Sequence, residues 1–109
     1  MKVYTSDMSY KGNDRYDISV RTGDLDFAPT WEMVMGIKNH TMSEKEYTKY
    51  YLGILKISNR RAHNKWVDIL NRDEITFVCY CKKGSKFCHR YILGKIFGRI
   101  KDVQYMGER

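Results

Sequence analysis

The chain has 109 residues, 42% hydrophobic and 30% charged, enough for one modest core and too little for two domains. Its 20 Lys and Arg outweigh 13 Asp and Glu, and the net charge of +7 favours polyanionic or phosphorylated partners over cationic ones. One Pro and eight Gly exclude collagen-like and Pro/Gly-rich low-complexity classes, while the evenly spread apolar residues exclude a disordered tail.

Lys2 to Ser6 is β-branched and aromatic and predicts a first strand, followed by a polar loop through Gly12-Asn13. Asp17 to Arg21 alternates and predicts a short second strand, after which Thr22 to Thr30, with the single Pro, reads as a turn-rich connection. Thr30 is placed to cap a helix over Trp31 to Ile37. Ser43 and Glu46 form a capping box, and Tyr47, Tyr50, Tyr51, Ile54 and Leu55 recur at helical spacing behind it. Ala62, Trp66, Ile69 and Leu70 mark a third helix, separate from the second or joined to it as one bent rod. Ile75 to Cys81 is continuously apolar, as a central strand covered on both faces should be. A basic loop, Lys82 to Phe87, leads to Cys88-His89-Arg90 and a helical face of Ile92, Leu93, Ile96, Phe97 and Ile100, and Val103 to Met106 returns as a last strand. The strand-loop-helix-strand ending is that of a βαβ crossover. The pattern predicts one α/β domain over residues 1–109, with a mostly parallel sheet of about four strands flanked by helices.

The longest apolar run falls far short of the roughly 20 residues that span a bilayer, so no membrane partner is expected. The first residues lack the apolar stretch of a secretory signal, so a cytoplasmic location is expected. In that reducing compartment three Cys do not make a disulfide framework; free thiols, metal ligands and a nucleophile stay open.

All three Cys and one His fall in Cys79-x-Cys81-x6-Cys88-His89. Residues i and i+2 of a strand share a face, so Cys79 and Cys81 are neighbours, with Cys88 at the next helix start, and the three thiols form an alternative ligand set for a soft cation. Adjacent Cys88 and His89 inside a helix would point about 100° apart and resist sharing an ion. The same segment reads as an anion site. Lys82, Lys83, Gly84, Ser85 and Lys86 lead into a helix N-terminus, whose free N–H groups and dipole attract phosphate, and Arg90 adds charge. Cys88, at that helix start beside His and Arg, is expected to have a lowered pKa and to act as a nucleophile with His89. Thr5 and Ser6 end the first strand on the same carboxyl-end rim. Trp31, Trp66 and the Tyr cluster fit core packing better than a stacking platform, whereas Tyr4, Tyr10 and Tyr16 are freer to stack on a purine.

Cys88-His89-Arg90 after an apolar strand, Asp17 to Arg21 early in the chain, and Phe27-Ala-Pro-Thr-Trp31 before a Tyr-bearing helix resemble the domain of unknown function 488 family. The resemblance implies an α/β fold and suggests that Arg21, Cys81, Cys88, His89 and Arg90 meet across the sheet; this chain departs from the family pattern in its extra Cys79, in Ser19 and in a compact region before residue 27. The expectation is a protein that binds a nucleotide or another phosphorylated small ligand at the carboxyl edge of the sheet, with or without turnover and with no cofactor. The alternatives are a Cys-dependent hydrolase or transferase acting on a nucleotide-like substrate, and a basic nucleic-acid-binding accessory protein. A homodimer is compatible with so small a chain.

Overall fold

The computed structural model describes residues 1–109 and builds them into four parallel strands and four α-helices. The strands are β1 (Lys2–Asp7), β2 (Arg15–Asp17), β3 (Glu74–Cys79) and β4 (Gln104–Glu108), in the order β2-β3-β1-β4. Every neighbouring pair is parallel, which makes this a small α/β protein. The helices are α1 (Trp31–Lys38), α2 (Glu44–Arg61), α3 (His63–Leu70) and α4 (His89–Phe97), and a single 3₁₀ turn covers Leu25–Phe27.

Every residue from Ile75 to Cys79 is buried, as a strand with a neighbour on each side requires, but the expected covered run to Cys81 stops short, because Tyr80 and Cys81 are exposed beyond the strand. Side chains alternate along it. Ile75 and Phe77 enter the core, and Phe77 meets the Phe97 ring of α4 at 5.3 Å. Thr76, with the opposite parity, donates to the Asp14 carboxylate at 2.6 Å. The core continues through Trp66, stacked on Phe97 at 5.1 Å and 8°, and through Tyr51, whose hydroxyl donates to the Phe27 carbonyl at 2.6 Å. Along α2, Tyr47, Tyr51, Leu55 and Ser58 form the buried stripe; Tyr50, 51% exposed, falls outside it.

The caps behave as the sequence reading expects: Thr30 accepts from Met33 N, and Ser43 with Glu46 closes a capping box. Three strands are bounded differently, among them β3, which ends at Cys79 rather than Cys81. The second strand is Arg15–Asp17 rather than 17–21, because the Asp17 carboxylate accepts from Ser19 N at 2.9 Å and from Thr22 Oγ1 at 2.5 Å and folds the chain into a turn. Of the two arrangements left open for α2 and α3, the structure has separate rods, broken at Ala62 (φ −122°, ψ 41°), and buried Ser58 accepts the Trp66 indole N–H across the break at 2.9 Å. The last strand runs from Gln104 to Glu108, later than expected. Helix α4 lies so close to β4 that a Cβ at Gly94 would come within 2.6 Å of the Tyr105 ring.

The radius of gyration, 13.2 Å, is that of one compact unit of this length. No helix is long and apolar enough to cross a membrane.

Candidate functional site

A cavity of about 420 Å³ opens beyond the carboxyl ends of β2 and β3, between the turn that follows β2, helix α1 and the start of α4. Ligands of open parallel sheets bind in this position relative to the strands. Its base is buried and carries Cys79, Cys88 and His89. Four aromatic rings line it: Trp31 from α1, Tyr47 from α2, and Tyr80 and Phe87 from the loop after β3. Two exposed cations, Arg21 and Lys38, complete the lining, and Arg21 also lies 6.0 Å over the Tyr80 ring. Arg21 is carried by the turn that Asp17 builds, and Gly23 closes that turn because a Cβ there would sit 2.5 Å from the Asp17 carbonyl.

Sulfur dominates the base. Cys79 Sγ lies 3.1 Å from Cys88 Sγ, and Cys88 Sγ lies 3.7 Å from His89 Nδ1. The other imidazole nitrogen, Nε2, bonds to the Ile18 carbonyl at 2.9 Å; a carbonyl only accepts, so Nε2 carries the proton and Nδ1 presents its lone pair to the sulfur. Burial holds the imidazole below its ordinary pKa and therefore neutral. Arg90 is fully buried behind the sulfurs. Its Nη1 donates to Cys79 Sγ at 3.1 Å and to the Cys81 carbonyl at 2.8 Å, while Nη2 donates to the Lys82 carbonyl at 3.2 Å and to Glu108 Oε1 at 2.7 Å. Burial works to raise the Glu108 carboxyl, but the hydrogen bond from Arg90 and its charge bring it below the usual range.

The thiols do not share their protons evenly. Cys88 is pushed up, first by the neighbouring Cys79 and Cys81 thiols, which keep its proton in place, and then by burial. Cys81, exposed beyond the end of β3, is drawn down by the neighbouring Cys79 and Cys88 thiols, with the Arg90 charge assisting against its own desolvation. The helix-start argument puts the acidic thiol at Cys88. In the structure Cys88 Sγ is buried among other sulfurs, which works against its thiolate, while Cys81 reaches water.

Of the residues singled out from the sequence, Arg21, Cys81, Cys88 and His89 come together on this cavity. Arg90 stands behind it, committed to carbonyls, sulfurs and Glu108. Thr5 and Ser6 are buried in the sheet, where Thr5 Oγ1 meets the Tyr105 hydroxyl at 2.9 Å and Ser6 Oγ donates to the Arg109 carbonyl at 3.2 Å. Lys82, Lys83, Gly84 and Lys86 are exposed on the loop and Ser85 turns back to the Lys82 carbonyl at 2.5 Å; none of the five lines the cavity. Nor do the loop tyrosines: Tyr16 packs edge-on against Phe27 and Phe77, and Tyr4 lies under the Arg109 guanidinium at 3.8 Å. The sequence reading misses Lys38 and gives Trp31 to the core, although the rising steps Trp31, Val34 and Lys38 mark one face of α1, the face that borders the cavity.

No curated protein and no solved structure matches the chain. The model of DUF488-N3a, described as the active DUF488-N3 subclade, matches residues 3–100, and on that match over nearly its whole length the chain belongs to the domain of unknown function 488 family.

Proposed function

We propose that the chain binds a nucleotide or a nucleotide-derived phosphorylated ligand in the cavity beyond β2 and β3. The observation that carries this reading is the composition of the lining: four aromatic rings, with the exposed cations Arg21 and Lys38, around a volume of about 420 Å³. Small-molecule sites commonly fall between about 300 and 1,000 Å³ and join apolar walls to a few polar anchors. A flat heteroaromatic base suits the rings, and a guanidinium and an ammonium suit the phosphate. The charge of +7 adds a favourable long-range field for an anion.

Thermal unfolding of the protein against adenosine, AMP, cyclic nucleotides and ADP-ribose tests the reading. A ligand at about 100 times its Kd stabilises the native state by about 2.7 kcal/mol. The expected result is a stabilising nucleotide whose effect is lost in Trp31→Ala and reduced in Arg21→Ala and Lys38→Ala. No stabilisation across the panel, or stabilisation indifferent to these substitutions, overturns it. Binding that falls steeply with salt and depends on Lys82, Lys83 and Lys86 would point to nucleic acid instead.

A second reading is favoured by the exposed, acidified Cys81: thiol chemistry on the same ligand, in a hydrolase or transferase. The description of the matching subclade as active supports catalysis. Cys81 is then the fastest-alkylated cysteine near neutral pH, and a slow, uniform reaction of all three thiols counts against this reading.

A further inference from the structure

Cys79, Cys88 and His89 bring two sulfurs and an imidazole nitrogen within 4.8 Å of one another, all three residues being buried. The objection to such a set is the divergence of adjacent residues on a helix by about 100°. Cys88 escapes it because it is not a helical residue: it caps α4 with an extended backbone, φ −163° and ψ 147°. Its side chain therefore leaves in a direction that meets His89, and Sγ reaches 3.7 Å from Nδ1. The imidazole is oriented as a ligand is. Nε2–H is anchored on the Ile18 carbonyl at 2.9 Å and Nδ1 turns its lone pair to the Cys88 sulfur, the arrangement by which metal-bound histidines are commonly held.

We propose that Cys79 Sγ, Cys88 Sγ and His89 Nδ1 form a three-ligand site for a thiophilic divalent cation, zinc by the chemistry of the set, with the fourth position open to the cavity. Thiolate and imidazole are the donors that zinc takes, and three protein ligands with one open place is the arrangement of sites where the ion acts on a bound water or substrate. As each sulfur–metal bond forms, the thiol S–H gives its proton to solvent. Two thiolates balance the charge of the ion. Arg90, donating to Cys79 Sγ at 3.1 Å, serves as an outer hydrogen-bond donor to the metal-bound sulfur, and its own charge is answered by Glu108 at 2.7 Å. Cys81 lies beyond the end of β3 and outside the set. This site does not depend on the nucleotide reading.

The test uses the full chain, purified under a non-chelating phosphine reductant, stripped of metal and titrated with Zn²⁺ and, as a spectroscopic probe, Co²⁺. The expected result is one ion per chain, sulfur-to-cobalt charge-transfer absorption, and release of protons on binding. Cys79→Ser, Cys88→Ser and His89→Gln each weaken binding by about tenfold or more, while Cys81→Ser leaves the stoichiometry unchanged. A readout on the unmodified chain guards against variants that fail to fold: Zn²⁺ should protect Cys79 and Cys88, but not Cys81, from alkylation mapped by peptide mass. Absence of both the cobalt–sulfur band and the protection overturns the site, as does binding that survives the three substitutions or disappears in His40→Ala or His63→Ala. A cobalt band without any nucleotide effect separates failure of the ligand reading from failure of this one.

Discussion

Arg90 and Arg21 look alike as letters in a basic sequence, and the structure gives them opposite tasks. A guanidinium without water needs partners for its donors, and Arg90, at 0% exposure, finds them in two carbonyls, two sulfurs, a tyrosine hydroxyl and Glu108, leaving only Nε unpaired. Removing one side of a buried ion pair costs about 3–5 kcal/mol, so Arg90→Ala should lower the unfolding free energy read from urea titration by about that amount, towards the low end because Glu108 keeps some contact with water. Arg21→Ala, at an exposed turn with no ion pair to lose, should stay within about 0.5 kcal/mol while weakening ligand binding. If both substitutions destabilise equally, Arg21 is structural and the cavity loses one of its anchors. The sequence shows that cysteines, His89 and arginines sit close together in the chain. It does not show burial, and burial decides which thiol is acidic and which arginine can meet a ligand.

Each element is legible in proportion to how much of its fate is local. The Ser43 and Glu46 box and the Thr30 cap are decided within one turn, and the apolar run of β3 answers to a simple requirement, coverage on both faces. Strand β2 is misplaced because Ile18 and Val20 continue the alternation while Asp17 offers its side chain to Ser19 and Thr22, a competition that periodicity alone does not settle. The cavity is the least legible feature. Trp31, Tyr47 and Tyr80 belong to three elements far apart in sequence, and only the packing of α1 and α2 brings their rings around one space. The seam between α4 and β4 has an equally non-local cause, the close approach of Gly94 to Tyr105. Gly94→Ala gains helix propensity, but its methyl must displace the Tyr105 ring, so a net loss of about 1–3 kcal/mol is expected in thermal or urea unfolding. A neutral or stabilising result would mean that the ring swings aside freely.

For the molecule as a whole, its behaviour towards acid follows from carboxylates tied into the tertiary structure. Burial opposes the ionised form of Asp14, yet hydrogen bonds from Thr76 and Tyr10 and the charge of Arg109 outweigh it and set its pKa below the ordinary value. Asp26 is lowered first by the Lys65 hydrogen bond and then by Arg61. Carboxyl groups lowered in the native state contribute stability that is fully present above their unfolded pKa, about 3.9, and is lost as pH falls through the folded value. The melting temperature should therefore hold between about pH 5 and 7 and fall below about pH 4. Asp14→Asn should flatten that fall more than Asp26→Asn, whose partners are mostly exposed and screened by salt. An unchanged acid slope in Asp14→Asn would assign the transition to other groups.

The order β2-β3-β1-β4 carries a consequence for how the chain is made. Strand β1 is an interior strand, and both of its neighbours, β3 and β4, come from the last third of these 109 residues. Until those residues leave the ribosome, β1 has no edge to pair with and Val3 no core to enter. Such long-range pairing slows the search for the native state and delays it until both later strands have been made. Helix α2, with its capping box closed within one turn, is the element whose local signals do not wait for the last strand.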